Sequence, residues 1–373
     1  MNKIAYSGND VHKEKIMIAV YLEKGNLPEI EKRIENDKAK VQKFYKRLKQ
    51  KYPNIKACYE ASSSGYVFYR WLKEIGVECE VIAPGLIPKK SSDRIKTDRR
   101  DAQKLGRLYR AGELTAVHVP EEEEEAVRSI SRLREQLVRE SGRSKQYILK
   151  FLRARGFIYR ESNNWTQKHW SYLKGIRFDK EQEQYTLDSH IRLLEYKQIE
   201  LEEATKKIEE IARSEKYKEP VQKLRNYRGI DTVTAMGVMS EIIDFKRFAN
   251  AKSIMSYVGL IPGERSSGEV RKQGAITKCG NSRVRRLLIE AAWHYRHKPG
   301  ITKPLQKRLK GQPVEEKQKS LKCQKRLHAR MFHLLAKGKN KNKVTTAIAR
   351  ELIGFIWATM TNSEKNEKEL VTV

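Results

Sequence analysis

The stretch from Glu121 to Gly156 most constrains what this chain can fold into, because it holds little proline or glycine. It opens on the acidic run Glu121 to Glu125 and continues with an apolar stripe through Val127, Ile130, Leu133 and Leu137. Acidic side chains favour a helix N-terminus and the stripe repeats at the helical period, so one long helix is expected. After a tryptophan-containing linker, Asp188 to Ser214 carries Ile191, Leu194, Ile199, Leu201 and Ile208 in a second amphipathic stretch. The two predict an antiparallel helical hairpin or a subunit interface.

Upstream, Lys3 to Gly8 and Lys15 to Leu22 read as two strands of a hairpin. Glu31 to Glu35 predicts a third strand, Asp37 to Lys51 a helix, Ile55 to Tyr59 a strand, Tyr66 to Ile75 a helix and Glu78 to Ala83 a strand. Pro84, Gly85 and Pro88 then break the chain. This order is compatible with a ribonuclease-H-like α/β fold. Downstream, Arg228-Gly229-Ile230-Asp231-Thr232-Val233 leads into an apolar helix pattern, like one half of a helix-hairpin-helix element whose turn could present backbone amides to a phosphate. Leu327 to Leu335 and Thr345 to Met360 keep apolar periodicity, and about the last dozen residues read as disordered. The expected class is α/β plus α, with domains at 1–118, 119–218 and 219–362 and a tail at 363–373.

Lysine and arginine number 78 against 47 aspartate and glutamate, a net charge of +31 that calls for a polyanionic partner. No apolar run approaches the roughly 18 to 20 residues that span a bilayer, so nucleic acid is the first candidate and no membrane association is expected. The N-terminus lacks the pattern of a secretory signal, and export is not expected. Cys58, Cys79, Cys279 and Cys323 stand far apart, without the spacing of a zinc knuckle or disulfide framework, and read as reduced cytoplasmic thiols.

Asp10 is expected just after a strand, Glu60 at the end of another, and Asp98 and Asp101 on one face at the start of a helix. Hard oxygen ligands of this kind suit Mg²⁺ or Mn²⁺, which can clamp attacking and leaving oxygens during phosphoryl transfer. Asp93 is the nearby acid that could be mistaken for a member of the set. Between Tyr257 and Ala292 come Gly259-Leu260-Ile261-Pro262, Arg265-Ser266-Ser267-Gly268 and Thr277-Lys278-Cys279-Gly280-Asn281. A serine there sits beside glycine among cations, where its hydroxyl could attack a phosphodiester if activated. The bland alternative is a basic loop whose serines bond turns and phosphates. Arg265, Lys278, Arg285 and Arg286 are candidate phosphate contacts, and His294 and His297 are assigned no chemistry.

The strings Gly8-Asn9-Asp10-Val11-His12-Lys13, Tyr59-Glu60-Ala61-Ser62 and Lys96-Thr97-Asp98-Arg99-Arg100-Asp101-Ala102, with their order and separation, resemble the N-terminal domain of the insertion sequence 110 family of transposases. The Tyr-x-Gly-Leu-x-Pro, Ser-Gly and Thr-Lys-x-Gly-Asn pieces resemble the same family's C-terminal transposase domain, so the resemblance spans most of residues 1–300. It implies a RuvC-like domain whose Asp-Glu-Asp-Asp set falls on Asp10, Glu60, Asp98 and Asp101 and binds Mg²⁺, with Mn²⁺ as an alternative. It also implies Ser267 as nucleophile, with Ser266 the adjacent alternative. Asn9 departs from the pattern, which usually has an apolar residue before the aspartate.

The implied activity is that of a bridge-RNA-guided serine recombinase. A structured noncoding RNA pairs with donor and target DNA, and a homo-oligomer, dimers assembling into a tetramer, exchanges strands through a transient phosphoserine link. No ATP site is needed, and no Gly-x-x-x-x-Gly-Lys-Ser/Thr loop occurs. The expected location is the cytoplasm, with the nucleoid. Two readings compete: a RuvC-like nuclease that cuts branched DNA with metal-bound water, and a noncatalytic nucleic-acid-binding protein.

Overall fold

β1 (Ile4–Val11) alternates between two covered faces, which makes it the centre of a sheet rather than an edge. The computed structural model describes residues 4–88, 97–267 and 270–361. They divide at Pro120 into two compact units.

In the first unit β1 pairs antiparallel with β2 (Lys15–Leu22), and β2 with β3 (Ile30–Glu35). After α1 (Lys38–Lys51), whose N-terminus is capped by Asp37, β4 (Asn54–Glu60) returns parallel to β1. α2 (Val67–Glu74) then leads to β5 (Glu78–Ile82), parallel to β4. The order is β3-β2-β1-β4-β5, and α3 (Asp98–Arg110) follows. The pleat sends alternate side chains to opposite faces. Ile16, Ile18, Ala57 and Tyr59 meet Val41, Tyr45, Phe68 and Leu72 of α1 and α2. Cys58 and Ile82 meet Leu105 and Tyr109 of α3 on the other face.

The strand and α3 meet closely because two glycines face each other. A Cβ on Gly8 would lie 2.1 Å from the Gly106 nitrogen and 2.4 Å from the Ala102 carbonyl oxygen, both backbone atoms with no side-chain freedom to yield. A Cβ on Gly106 would in turn meet the Tyr21 ring at 2.8 Å. Gly8→Ala is therefore expected to force α3 off the sheet and cost about 3 kcal/mol or more. A urea titration of the full chain should show the first transition moving to lower denaturant; an unchanged midpoint would contradict this packing.

Asn9, the departure from the family pattern, is fully buried and fully engaged. Its Oδ1 accepts from Tyr45 Oη at 2.6 Å, and its Nδ2 donates to the Cys58 carbonyl at 2.9 Å. Ser7 Oγ shares the tyrosine hydroxyl at 2.7 Å. A buried amide is tolerated where each polar group finds a partner, and Tyr45 supplies one that an apolar residue would not need.

The second unit opens with α4 (Glu122–Arg153), started by the reciprocal capping of Glu121 and Glu124. The linker contains α5 (Gln167–Gly175), and α6 (Glu181–Ile211) begins seven residues before the expected Asp188 and packs along α4. Leu133 and Ile199, expected on the apolar stripes, face outward at 46% and 55% exposure. The pair buries one face of each helix, and these two side chains stand on the other. α7 (Glu215–Arg225), α8 (Thr232–Ile242) and α9 (Ala251–Tyr257) follow. Next come a hairpin of β6 (Pro262–Ser267) and β7 (Val270–Ile276), then α10 (Ser282–Ala292) and α11 (Lys303–Leu309). α12 (Val314–Ala336) and α13 (Lys341–Met360) complete the unit, and Leu352, Ile353 and Ile356 of α13 lie in its core. At the turn anticipated to face a phosphate, a Cβ on Gly229, φ +83°, would lie 2.6 Å from the Ala291 carbonyl oxygen. Among the described residues no helix is long and apolar enough to cross a membrane. The anticipated disordered tail and Asp93 lie outside the described residues.

Candidate active site

Asp10 lies within β1 rather than after it, paired with Met17 across the hairpin. The register Asn9↔Tyr59 places Asp10 and Glu60 at neighbouring strand ends. Alternation from Gly8 and Cys58 puts both on the face that α3 covers. α3 starts there because Thr97 accepts a hydrogen bond from the Arg100 nitrogen as its N-cap, which explains the threonine of the Lys-Thr-Asp-x-x-Asp string. Its first turn carries Asp98 and Asp101. Side chains of β3 hold it: Glu31 accepts from Arg99 and Gln103, and Arg33 Nη2 stands 3.8 Å from Asp98 Oδ2.

The point of convergence is His12. Its Nε2 lies 3.0 Å from Asp10 Oδ2 and 3.6 Å from Asp98 Oδ1. Donor atoms of Asp10, His12 and Asp98 all fall within 4.8 Å of one another, and Glu60 and Asp101 stand outside that trio. Burial pushes the Asp10 carboxyl above its ordinary value, and the His12 contact pulls it down. The carboxylates of Asp101 and Asp98 push it up again. Neighbouring ligands of a small octahedral ion stand roughly 3 Å apart, since each bond is about 2.1 Å. The observed separations and the carboxylate-rich donor set therefore fit a divalent ion.

Ser267 is the last residue of β6, exposed and paired with Val270 across a two-residue connection. Gly268 and the Ser266 side chain lie outside the described residues. The motif residues around the hairpin build its base. Thr277 N donates to the Ile261 carbonyl at 2.9 Å, Lys278 N to Gly259 at 3.2 Å and Asn281 N to Tyr257 at 3.1 Å. A Cβ on Gly280 would lie 1.9 Å from the Tyr257 carbonyl oxygen, and its φ of +96° is also one that glycine alone adopts readily. Asn281 caps α10, and its Nδ2 donates to Glu241 at 2.8 Å. Glu241 is 4% exposed and accepts both Arg132 Nε and Nη2, at 2.7 and 2.9 Å; these bonds hold its carboxyl below the ordinary value against the effect of burial.

Of the candidate phosphate contacts, Arg265 and Lys278 are exposed on the hairpin and at its base. Arg285 donates to the Val258 carbonyl at 2.9 Å, and Arg286 binds both oxygens of Glu290 at 2.8 and 2.9 Å.

A family model described as "Transposase IS116/IS110/IS902 family" matches residues 221–306, and the DEDD transposase model of the IS110 group matches residues 7–155. "Putative transposase y4qE" of Sinorhizobium fredii is 40% identical over 356 residues, covering 95% of this chain and 88% of its own. The chain belongs to the IS110 family of transposases. The transposase for insertion sequence element IS1533 of Leptospira borgpetersenii is 37% identical over 91% of this chain and 99% of its own, and that for IS1111A of Coxiella burnetii 23% identical over 82% and 77%. The family implies DNA as partner and DNA cleavage and rejoining as activity, and its DEDD domain suggests a divalent metal. The matched segments of this IS110-family chain include every acid expected at the metal and the whole serine hairpin.

Sequence reasoning passed over His12, Arg33 and Glu241. His12 stood inside a quoted motif two residues from Asp10, which is a usable signal. Arg33 and Glu241 become visible only through partners 65 and 40 residues away.

Proposed function

We propose that this IS110-family transposase is an RNA-guided DNA recombinase that excises and inserts its element through a serine–DNA intermediate. The observation that carries the reading is the meeting of Asp10 and Asp98, from a strand and a distant helix, at the end of a sheet in a chain of net charge +31. The five-stranded order, with one antiparallel and two parallel neighbour pairings around β1 and β4, supports a RuvC-like assignment.

Asp10, Glu60, Asp98 and Asp101 would hold Mg²⁺ or Mn²⁺. A divalent ion bound there supplies Lewis-acid stabilisation of the charge that develops on the scissile phosphate. The chain's own groups do the rest. Ser267 Oγ gives up its proton and forms a bond to phosphorus as the bond to one deoxyribose oxygen breaks, and a proton goes to that oxygen, which leaves as a hydroxyl. Arg265 and Lys278 hold flanking phosphates, with Arg285 and Arg286 steadying the helix behind them. A hydroxyl end on the exchanged strand then attacks the phosphoserine and frees Ser267. The phosphodiester energy is kept in the covalent link. Exposed Tyr185, Leu193, Tyr196 and Ile199 on α6 support assembly of copies into dimers and a tetramer. The place of action is the nucleoid in the cytoplasm.

Reconstitution tests the guide. Purified protein, transcripts of the noncoding DNA beside the gene, and donor and target duplexes should give joined product only when the RNA loops match both duplexes. Equal product yield without RNA would refute guidance and leave a protein-only transposase.

A further inference from the structure

His12 lies where a ligand would, and its backbone is held there. Its amide donates to the Lys15 carbonyl at 3.0 Å, and its carbonyl accepts from Asn36 Nδ2 at 2.8 Å, so the tight β1–β2 turn is clamped on both sides. The imidazole then reaches over the strand end to sit between the carboxylates of Asp10 and Asp98. Neutralising charge does not account for this placement by itself, because Arg33 already stands against Asp98. Nor does packing, since the His12 side chain is 56% exposed.

Resting on the metal reading above, we infer that His12 is a direct ligand and makes the centre a mixed nitrogen–oxygen site that prefers Mn²⁺ to Mg²⁺. Mg²⁺ strongly favours oxygen donors and keeps its waters, whereas transition ions accept imidazole nitrogen. With the backbone clamped and the imidazole already against Asp10, that nitrogen is offered at reduced ordering cost. Asp10 and Asp98 supply the anionic charge that either ion needs, so His12 bears on which ion is held more than on whether one is held.

The test uses the full chain and Mn²⁺ as the probe. Binding is followed by loss of the free-ion electron paramagnetic resonance signal, with Mg²⁺ affinity obtained by competition and ligand identity from pulsed measurement of nitrogen coupling to bound Mn²⁺. The unaltered chain should show imidazole nitrogen coupling and bind Mn²⁺ more tightly than Mg²⁺. His12→Ala should lose the coupling and weaken Mn²⁺ about tenfold or more, with Mg²⁺ changed by no more than about threefold. His12→Gln should behave alike, and thermal melts of both should match the parent, since the side chain is exposed. Bound Mn²⁺ without nitrogen coupling, or coupling that survives His12→Ala, would overturn the inference and leave the carboxylate site standing. If the unaltered chain binds Mn²⁺ but Asp98→Asn binds it equally well, the metal reading itself fails and the inference with it.

Discussion

Asp98→Ala is expected to slow DNA strand cleavage by at least about 10³-fold, equivalent to about 4 kcal/mol of lost transition-state stabilisation. The side chain lies on the exposed first turn of α3, where the hydrogen bond from the Arg100 nitrogen to Thr97 still caps the helix without it. Its removal leaves the Arg99 and Gln103 contacts with Glu31 in place, so α3 should stay seated and the melting temperature should change little. The loss is therefore attributable to the missing carboxylate beside Asp10 and His12. Asp101→Ala should also be strongly impaired, because Asp101 shares the first turn of α3 with Asp98 and belongs to the proposed carboxylate set. Single-turnover cleavage of a labelled duplex measures both. Retention of full recombination by the double variant would return the acids to a structural role.

Ser267→Ala is expected to remove strand exchange altogether while leaving DNA binding and folding intact. The residue stands exposed at the end of β6, and the hairpin is held at its base by backbone bonds and by Gly280, none of which involves the serine hydroxyl. Ser266→Ala serves as the neighbouring control and should retain most activity. The competing nuclease reading makes the opposite forecast: with metal-bound water as nucleophile, Ser267→Ala would cut at the parental rate. Because affinity for nucleic acid arises mainly from phosphate contacts, a gel-shift titration at fixed salt should separate a chemical defect from a binding one.

Much of the first unit was legible because its strands alternate and its helices carry an apolar period, with Asp37 and Thr97 capping α1 and α3. The sequence pattern ends the strand bearing Asp10 at Gly8, yet it runs to Val11. Asparagine and aspartate are poor strand formers, but pairing with β2 and β4 on both sides overrides that preference, and Tyr45 satisfies the buried amide of Asn9. α6 starts before the apolar stripe that predicts it, because Glu181 to Asp188 are mostly polar and Tyr185 and Leu187 do not fall on one face. The carboxylates were legible as a set through their motif. Their geometry was not, since Asp98 reaches Asp10 only after Gly8 and Gly106 let a helix from far along the chain settle on the strand. Glu241 was hidden for the same reason: nothing local in an apolar helix announces that its one buried acid will meet Arg132 and Asn281.

The proposed covalent bond between Ser267 and DNA can be looked for directly. Full-length protein, guide transcript and a target duplex nicked near the junction to trap the intermediate should be quenched in denaturant, digested with nuclease and protease, and mapped by mass spectrometry. The predicted result is a nucleotide attached through phosphate to the peptide containing Ser267, at that residue, and absent from Ser267→Ala. Strand exchange proceeding at its normal rate with no such adduct, or with the nucleotide on a different side chain, would contradict it.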